Sequence, residues 1–407
     1  MIRFILLPLA LLSTGARAAF TVPGFELIYS YPVETSLEEP DLRLAQDAWP
    51  AMFDAAKKTI DIEQFYITPS TGEPLEQPLR ALERAAKRGV KIRVILEKKF
   101  EKNSLDGIAR LKSIPGLDLR ILEWSRINGD GIIHAKFFIV DSAQAYAGSQ
   151  NFDWRSLKHI HELGLRISDE PVARNIQRVF DHDWESADTK VYERGFAPDI
   201  KEKKDAALEE ATSPEADRSA RAYLVASPWR KNPAGVGDSE SELVKLIGEA
   251  KTELDIQLLD YNPTTFSRPT RFYPIIDNAL RDAAVRGVKV KLLVSHWNTD
   301  KRSIVHLKSL SLIPGIEVRI ITVPEAKQGT IPFARTAHSK YMSADGKVSW
   351  IGTSNWAGGY LDSSRNLEIV VKDEALAART AKIHAHLWDS PYTAPIEVQK
   401  TYSKPRR

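Results

Sequence analysis

Residues 131–151 read G-I-I-H-A-K-F-F-I-V-D-S-A-Q-A-Y-A-G-S-Q-N, and the fold and chemistry of the chain turn on this stretch. The run Phe137 to Val140 is apolar and β-prone. In a strand, His134 and Lys136, two apart, project from one face, so an imidazole and an ammonium point to the same place. Asp141 has the opposite parity and stands where the strand ends, which predicts that it faces away and holds a turn or a neighbouring backbone. A second short strand over Ala143 to Ala147 runs into Gly148-Ser149-Gln150-Asn151, a loop offering a hydroxyl, amides and backbone N–H groups. Histidine, lysine and asparagine converging on one point suit a phosphate group bound without metal. Lys and Asn hold the non-bridging oxygens, while the imidazole attacks phosphorus or moves a proton. A lone His-x-Lys is more simply an ordinary strand with a satisfied histidine, so a second occurrence decides.

Residues 338–355, H-S-K-Y-M-S-A-D-G-K-V-S-W-I-G-T-S-N, supply it. His338, Lys340, Asp345, Gly352, Thr353 and Asn355 repeat the spacings of His134, Lys136, Asp141, Gly148, Ser149 and Asn151. With this duplicated His-x-Lys-x4-Asp-x6-Gly-Ser/Thr-x-Asn pattern, the chain resembles the phospholipase D superfamily.

The repetition extends outward. K-T-I-D-I-E-Q-F-Y (58–66) answers to K-T-E-L-D-I-Q-L-L-D-Y (251–261), and P-L-R-A-L-E-R-A-A-K-R-G-V-K-I-R-V-I-L (78–96) to I-I-D-N-A-L-R-D-A-A-V-R-G-V-K-V-K-L-L-V (275–294). In the second pair a helix with apolar residues at helical spacing is stopped by Gly89 or Gly287 and followed by a buried strand. L-K-S-I-P-G-L-D-L-R-I-L (111–122) and L-S-L-I-P-G-I-E-V-R-I-I (310–321) add a helix end, a Pro-Gly turn and a strand, and a helix bearing Trp184 or Trp388 closes each half. Alternating strands and helices argue an α/β layered sheet. The resemblance implies two similar phospholipase D-like α/β sandwich halves, each a mixed sheet flanked by helices, packed about a pseudo-twofold with one shared active site.

Residues 1–18 combine Arg3, an apolar run from Phe4 to Leu12 and the small-x-small pattern Ala16-Arg17-Ala18, which reads as a cleavable signal peptide. A secreted or periplasmic mature chain starting near Ala19 is expected, with a first domain over 19–195, a charged linker over 196–219 and a second domain over 220–400. Cysteine is absent, so a thiolate nucleophile and Cys-ligated zinc are excluded. The net charge of +3 falls to +1 without Arg3 and Arg17, and bulk charge does not announce a nucleic-acid binder. His159 with His161 and His384 with His386 have His-x-His spacing but no obvious third ligand. No metal, cofactor or obligate protein partner is expected, and activity in EDTA is.

Chemistry supplies the mechanism: one neutral imidazole attacks phosphorus, the protonated partner protonates the leaving oxygen, and Lys136, Lys340, Asn151 and Asn355 hold the equatorial oxygens. The residue pattern is symmetric; the resemblance implies His134 as nucleophile and His338 as general acid. It also implies orienting carboxylates at Glu162, eleven after Asn151, and Glu368, thirteen after Asn355. Ser149 and Thr353 are expected as hydroxyl donors to the phosphate site or its loop, and are equally ordinary as structural turn residues; Asp141, Asp345, Gly148 and Gly352 are expected as structural members of the motif. Trp154, Trp356 and Tyr360 follow the motif loops and either line a cleft or pack in the core. Phe65-Tyr66, N-F-D-W-R-S-L (151–157) and I-P-F-A-R-T-A-H-S-K-Y-M (331–342) are similar to the branch holding animal lysosomal phospholipase D-like 5′ exonucleases and the poxvirus envelope phospholipase. The substrates implied are single-stranded nucleic acid, cut from a 5′ end, or a glycerophospholipid. A non-catalytic scaffold is disfavoured because both polar sets are intact.

Overall fold

The computed structural model describes residues 19–187, 216–265 and 269–405; the expected signal peptide and most of the expected linker lie outside the described residues. Two sheets, of ten and nine strands, form the framework. Seven central strands of the first are β1 (Phe25–Ser30), β2 (Thr59–Gln64), β3 (Lys91–Glu97), β4 (Leu117–Leu122), β5 (Lys136–Val140), β6 (Gln144–Gly148) and β7 (Ile160–Ile167), in spatial order β1-β7-β6-β5-β2-β3-β4. Their counterparts are β8 (Ala222–Ser227), β9 (Glu253–Leu258), β10 (Lys289–Ser295), β11 (Ile316–Ile321), β12 (Tyr341–Ala344), β13 (Val348–Gly352) and β14 (Asn366–Lys372), ordered β8-β14-β13-β12-β9-β10-β11. The two orders are the same permutation, as the repeat predicts.

In each half, three strands run parallel and are joined by helices, while the motif hairpin packs antiparallel beside them. Principal helices are α1 (Ala45–Ala55), α2 (Glu76–Lys87), α3 (Leu105–Lys112) and α4 (Glu170–Ser186), then α5 (Ser239–Glu249), α6 (Ile275–Val285), α7 (Ile304–Ser311) and α8 (Glu374–Trp388). Gly89 and Gly287 end α2 and α6 with φ of 86° and 90°, a conformation that costs glycine little. Asp169 and Asp373 cap α4 and α8 by accepting from Val172 N and Leu376 N.

One apolar core lies between the halves, joining Phe137, Ile139 and Leu165 to Leu224, Ile351 and Ile369. Each half has its own outer core beneath its helices. Within the interface Arg365 grips Asp183 with two hydrogen bonds, of 2.7 and 2.9 Å, both side chains fully buried. Breaking such a pair strands a buried charge, so it holds the halves in one register.

The motif aspartates build the framework rather than the cleft. The β5–β6 hairpin turns through Asp141 (φ 54°) and Ser142 (φ 55°), the β12–β13 hairpin through Asp345 (φ 54°) and Gly346 (φ 62°). Consecutive positive φ values mark the hairpin turn whose twist matches the strands. Asp141 accepts from Lys57 N (2.8 Å), Lys58 N (2.6 Å) and Thr59 N (2.9 Å), and Asp345 from Lys251, Thr252 and Glu253 N (2.8, 2.8 and 3.0 Å). Burial opposes the charges, but the N–H donors outweigh it and hold both carboxyls below their ordinary range. Asp141→Ala is expected to lower stability by about 2–4 kcal/mol in thermal or urea unfolding, discounting charge-assisted bonds for partial exposure. Turnover per folded molecule should stay near wild type.

Candidate active site

Each motif histidine precedes its strand on an extended segment that pairs with the opposite half. Ile133 bridges Arg365, and Thr336–Ala337 pairs with Ile160 and His161 of β7. Consequently His134 N donates to Arg365 O (2.9 Å) and His338 N to His161 O (2.8 Å). The next residue of each partner strand holds the ring: His338 Nδ1 lies 2.7 Å from Glu162 Oε2, and His134 Nδ1 lies 3.0 Å from Asn366 Oδ1. Asn366 Nδ2 donates to Tyr360 O (3.1 Å) and its Oδ1 accepts from Thr353 Oγ1 (2.9 Å). These contacts fix the amide orientation, so His134 Nδ1 carries the proton toward Asn366 and Nε2 is left with its lone pair.

Lys136 Nζ donates to His134 O, and Lys340 Nζ to His338 O at 2.5 Å, so each ammonium braces the backbone of its own histidine. Both lysines are fully desolvated. Burial, and then the Lys340 charge, depress Lys136 well below its usual value. Burial takes Lys340 to about 7 against the pull of Glu162 and Asp260. A phosphodiester's negative charge counters both effects. Burial and the two ammoniums likewise keep both imidazoles well below 6.5. Glu162 moves the other way: burial raises it to about 7, opposed by Lys340, Ser149, Ser156 and Lys136. We read His338 and Glu162 as a pair that shares a proton near neutral pH.

Asn151 Oδ1 and Asn355 Nδ2 are buried amide atoms with no protein partner, and both residues line a cleft of about 480 Å3 with His134 and His338. Aromatic residues supply much of its wall: Phe65, Tyr66, Phe100, Trp297, Phe333 and Tyr360. Phe65 and Tyr360 pack on the His134 ring at 5.2 and 4.8 Å. A larger hollow of about 660 Å3, flanked by Asp47, Glu73, Arg80 and Lys158, opens on the outer helices of the first half instead.

Two groups of expected residues are corrected. Glu368 does not reach an imidazole: it is buried behind the motif loop, accepting from Ser239 Oγ and from Ser354 Oγ (2.5 Å) and N (3.2 Å), and burial raises it to about 7. The residue in the expected role is Asn366. The sequence held the signal: the same offset, 204 residues, relates His134 to His338 and Glu162 to Asn366. Glu368 answers instead to Gly164, and the two stand opposite Gly352 and Gly148 in register. Ser149 and Thr353, fully buried, do not present hydroxyls to the cleft. Ser149 Oγ bonds Leu163 N and O, and Thr353 Oγ1 bonds Leu367 N and Asn366. Gly148 and Gly352 allow close strand approach, since a Cβ would meet Gly164 Cα at 2.4 Å or Glu368 Cγ at 2.4 Å. Of the aromatics after the loops, Tyr360 lines the cleft, whereas Trp356 packs on Trp350 in the core and Trp154 on His159.

The chain matches the family model described as cardiolipin synthase, PLD-like domain, twice, over residues 51–184 and 243–388. It is 31% identical over 379 residues to 5′-3′ exonuclease PLD3 of Macaca fascicularis, covering 86% of this chain and 76% of the relative. It is 30% identical over 368 residues to phospholipase D Z of Dictyostelium discoideum, covering 86% of each. The fold is similar to that of phosphatidylserine synthase from Haemophilus influenzae, with a TM-score of 0.63 at 12% identity, covering 93% of this chain and 88% of that one. The chain belongs to the phospholipase D superfamily and is a phosphodiesterase of that family.

Proposed function

We propose that the protein cleaves phosphodiester bonds through a covalent phosphohistidine at His134, without a metal ion, and that it removes nucleotides from the 5′ end of single-stranded nucleic acid. The unequal partners of the two imidazoles carry the mechanism. Asn366 carries no charge, so it orients His134 while supporting an imidazolium far less than a carboxylate would, and burial beside two lysines outweighs its hydrogen bond and keeps that ring unprotonated. Glu162 is an acid, so it supports the positive charge that His338 needs as proton donor.

His134 Nε2 attacks phosphorus as the bond to the leaving oxygen breaks and His338 supplies that oxygen's proton. Neutral His338 then takes a proton from water, whose oxygen bonds phosphorus as the N–P bond breaks. An alcohol and a phosphomonoester leave, and His338 is protonated again. Lys136, Lys340, Asn151 and Asn355 stabilise the charge on the equatorial oxygens throughout.

The aromatic wall of the cleft supports a substrate with bases to stack. The relative named exonuclease agrees with it, while the relative named phospholipase D supports phosphatidyl substrates as the second reading. Residues 1–18 support export of the mature chain. The test is digestion of a 3′-labelled single-stranded oligonucleotide with a 5′-hydroxyl end, in EDTA, with His134→Ala as control. Progressive shortening from the 5′ end that vanishes in the variant is expected. No shortening between mildly acidic and neutral pH would overturn the nuclease reading and direct the assay to headgroup release from phospholipid.

A further inference from the structure

Phe333 is an exposed aromatic residue, at 56% relative accessibility, in the left-handed backbone region, with φ 58°. A bulky side chain is held there only by its surroundings. Two arginines provide them. Arg155, clasped to Asp153, donates Nη1 to Pro332 O (2.9 Å). Arg335, also left-handed at φ 53°, donates Nε to Pro324 O and Nη1 to Val33 O, both at 2.7 Å. The segment is thus pinned on each side of Phe333. The ring it presents stands 6.4 Å from Trp297 at 85°, and both rings line the catalytic cleft with His338.

We propose that Phe333 and Trp297 form a two-ring clamp for the base of the departing nucleoside, the one whose 5′ oxygen His338 protonates. This rests on the nuclease reading above. In-line displacement puts the leaving oxygen opposite the nucleophile, on the His338 side. Phe65 and Tyr360 surround His134, whereas Phe333 lies five residues before His338 and Trp297 belongs to the same half. Two rings at right angles accept a flat heterocycle, one by its face and one by its edge. A fatty-acyl chain gains nothing from a ring held in a costly backbone conformation, since any apolar wall serves it.

The experiment is a cycle between protein and substrate. kcat/KM is measured for wild type, Phe333→Ala and Phe333→Tyr on thymidylyl-3′,5′-thymidine and on the analogue whose leaving nucleoside is abasic. Wild type should cleave the abasic compound about 5- to 150-fold more slowly, the range for one stacked base. Phe333→Ala should lose a similar factor on the full dinucleotide and almost nothing more on the abasic one, while Phe333→Tyr retains activity on both. Equal losses on both substrates in Phe333→Ala, or no abasic penalty in wild type, would overturn the clamp and leave the nuclease reading standing. Failure of wild type to cleave either compound or a longer oligonucleotide would instead remove the nuclease reading, and the clamp with it.

Discussion

Replacing His338 by alanine is expected to leave the first half-reaction running on an ester with a good leaving group and to stop the second. With the 4-nitrophenyl ester of thymidine 3′-phosphate, nitrophenolate departs without a proton, so the His134 Nε2–P bond still forms as the P–O bond to nitrophenolate breaks. No base then remains to activate water. A burst of about one nitrophenolate per active site should appear, followed by a steady rate lowered by about 10²–10⁴-fold. The trapped species should carry phosphorus on the peptide containing His134, stable to alkali and lost in acid. His134→Ala should show no burst and lose on the order of 10⁴-fold or more in turnover. A burst in His134→Ala and none in His338→Ala would reverse the two roles. The partners argue for the stated order: Asn366 leaves the nucleophile uncharged, and Glu162 keeps a proton available to the acid.

Replacing Glu162 by glutamine is expected to cost about 10²–10³-fold in kcat on a substrate with a poor leaving group, with a much smaller loss on the nitrophenyl ester. The pH profile should change with it. The Glu162 carboxyl is raised to about 7, so the pair it forms with His338 holds its proton below that pH and loses it above. Wild-type activity on poor leaving groups should therefore fall as pH rises through about 7. In Glu162→Gln that limb should move or flatten, and an unmoved limb would assign it to another group. Folding provides the control. A carboxyl raised from 4.5 to about 7 contributes stability that is fully present below 4.5 and is lost as pH rises through 7. At pH 8 wild type bears a cost on the order of 3 kcal/mol that the neutral amide avoids. The variant should be at least as stable as wild type there, so its lost turnover is not lost folding.

Much of the architecture was legible because duplication doubles every signal. The motif strands, the glycines that end α2 and α6 and the parallel β2–β3–β4 unit each appear twice, and hydrophobic period and turn chemistry mark them in both copies. Asp141 was legible as a turn-holder from its parity, though not its three backbone donors, which lead into β2 between 82 and 84 residues earlier in the chain. The Asn366 role was missed for a different reason. The repeat position carries an amide where the first half carries a carboxylate, while Glu368, two residues on and on the same face of the strand, offers the carboxylate in its place. Ser149 and Thr353 were misjudged because a hydroxyl beside a phosphate loop and a hydroxyl bonded to the next strand look alike in sequence. Phe333 was out of reach: nothing local to I-P-F-A-R announces that its own Arg335 reaches Pro324 O and Val33 O, or that Arg155 of the other half holds Pro332 O, so that the ring stands in the cleft.

The crossed hydrogen bonds at the two histidines have a consequence for the life of the molecule. Each half carries a histidine that it cannot itself orient, since the carbonyl and the side chain that seat the ring come from the other half. A nascent or mispaired chain therefore has neither imidazole seated, and under the proposed mechanism hydrolysis waits for the two halves to pair.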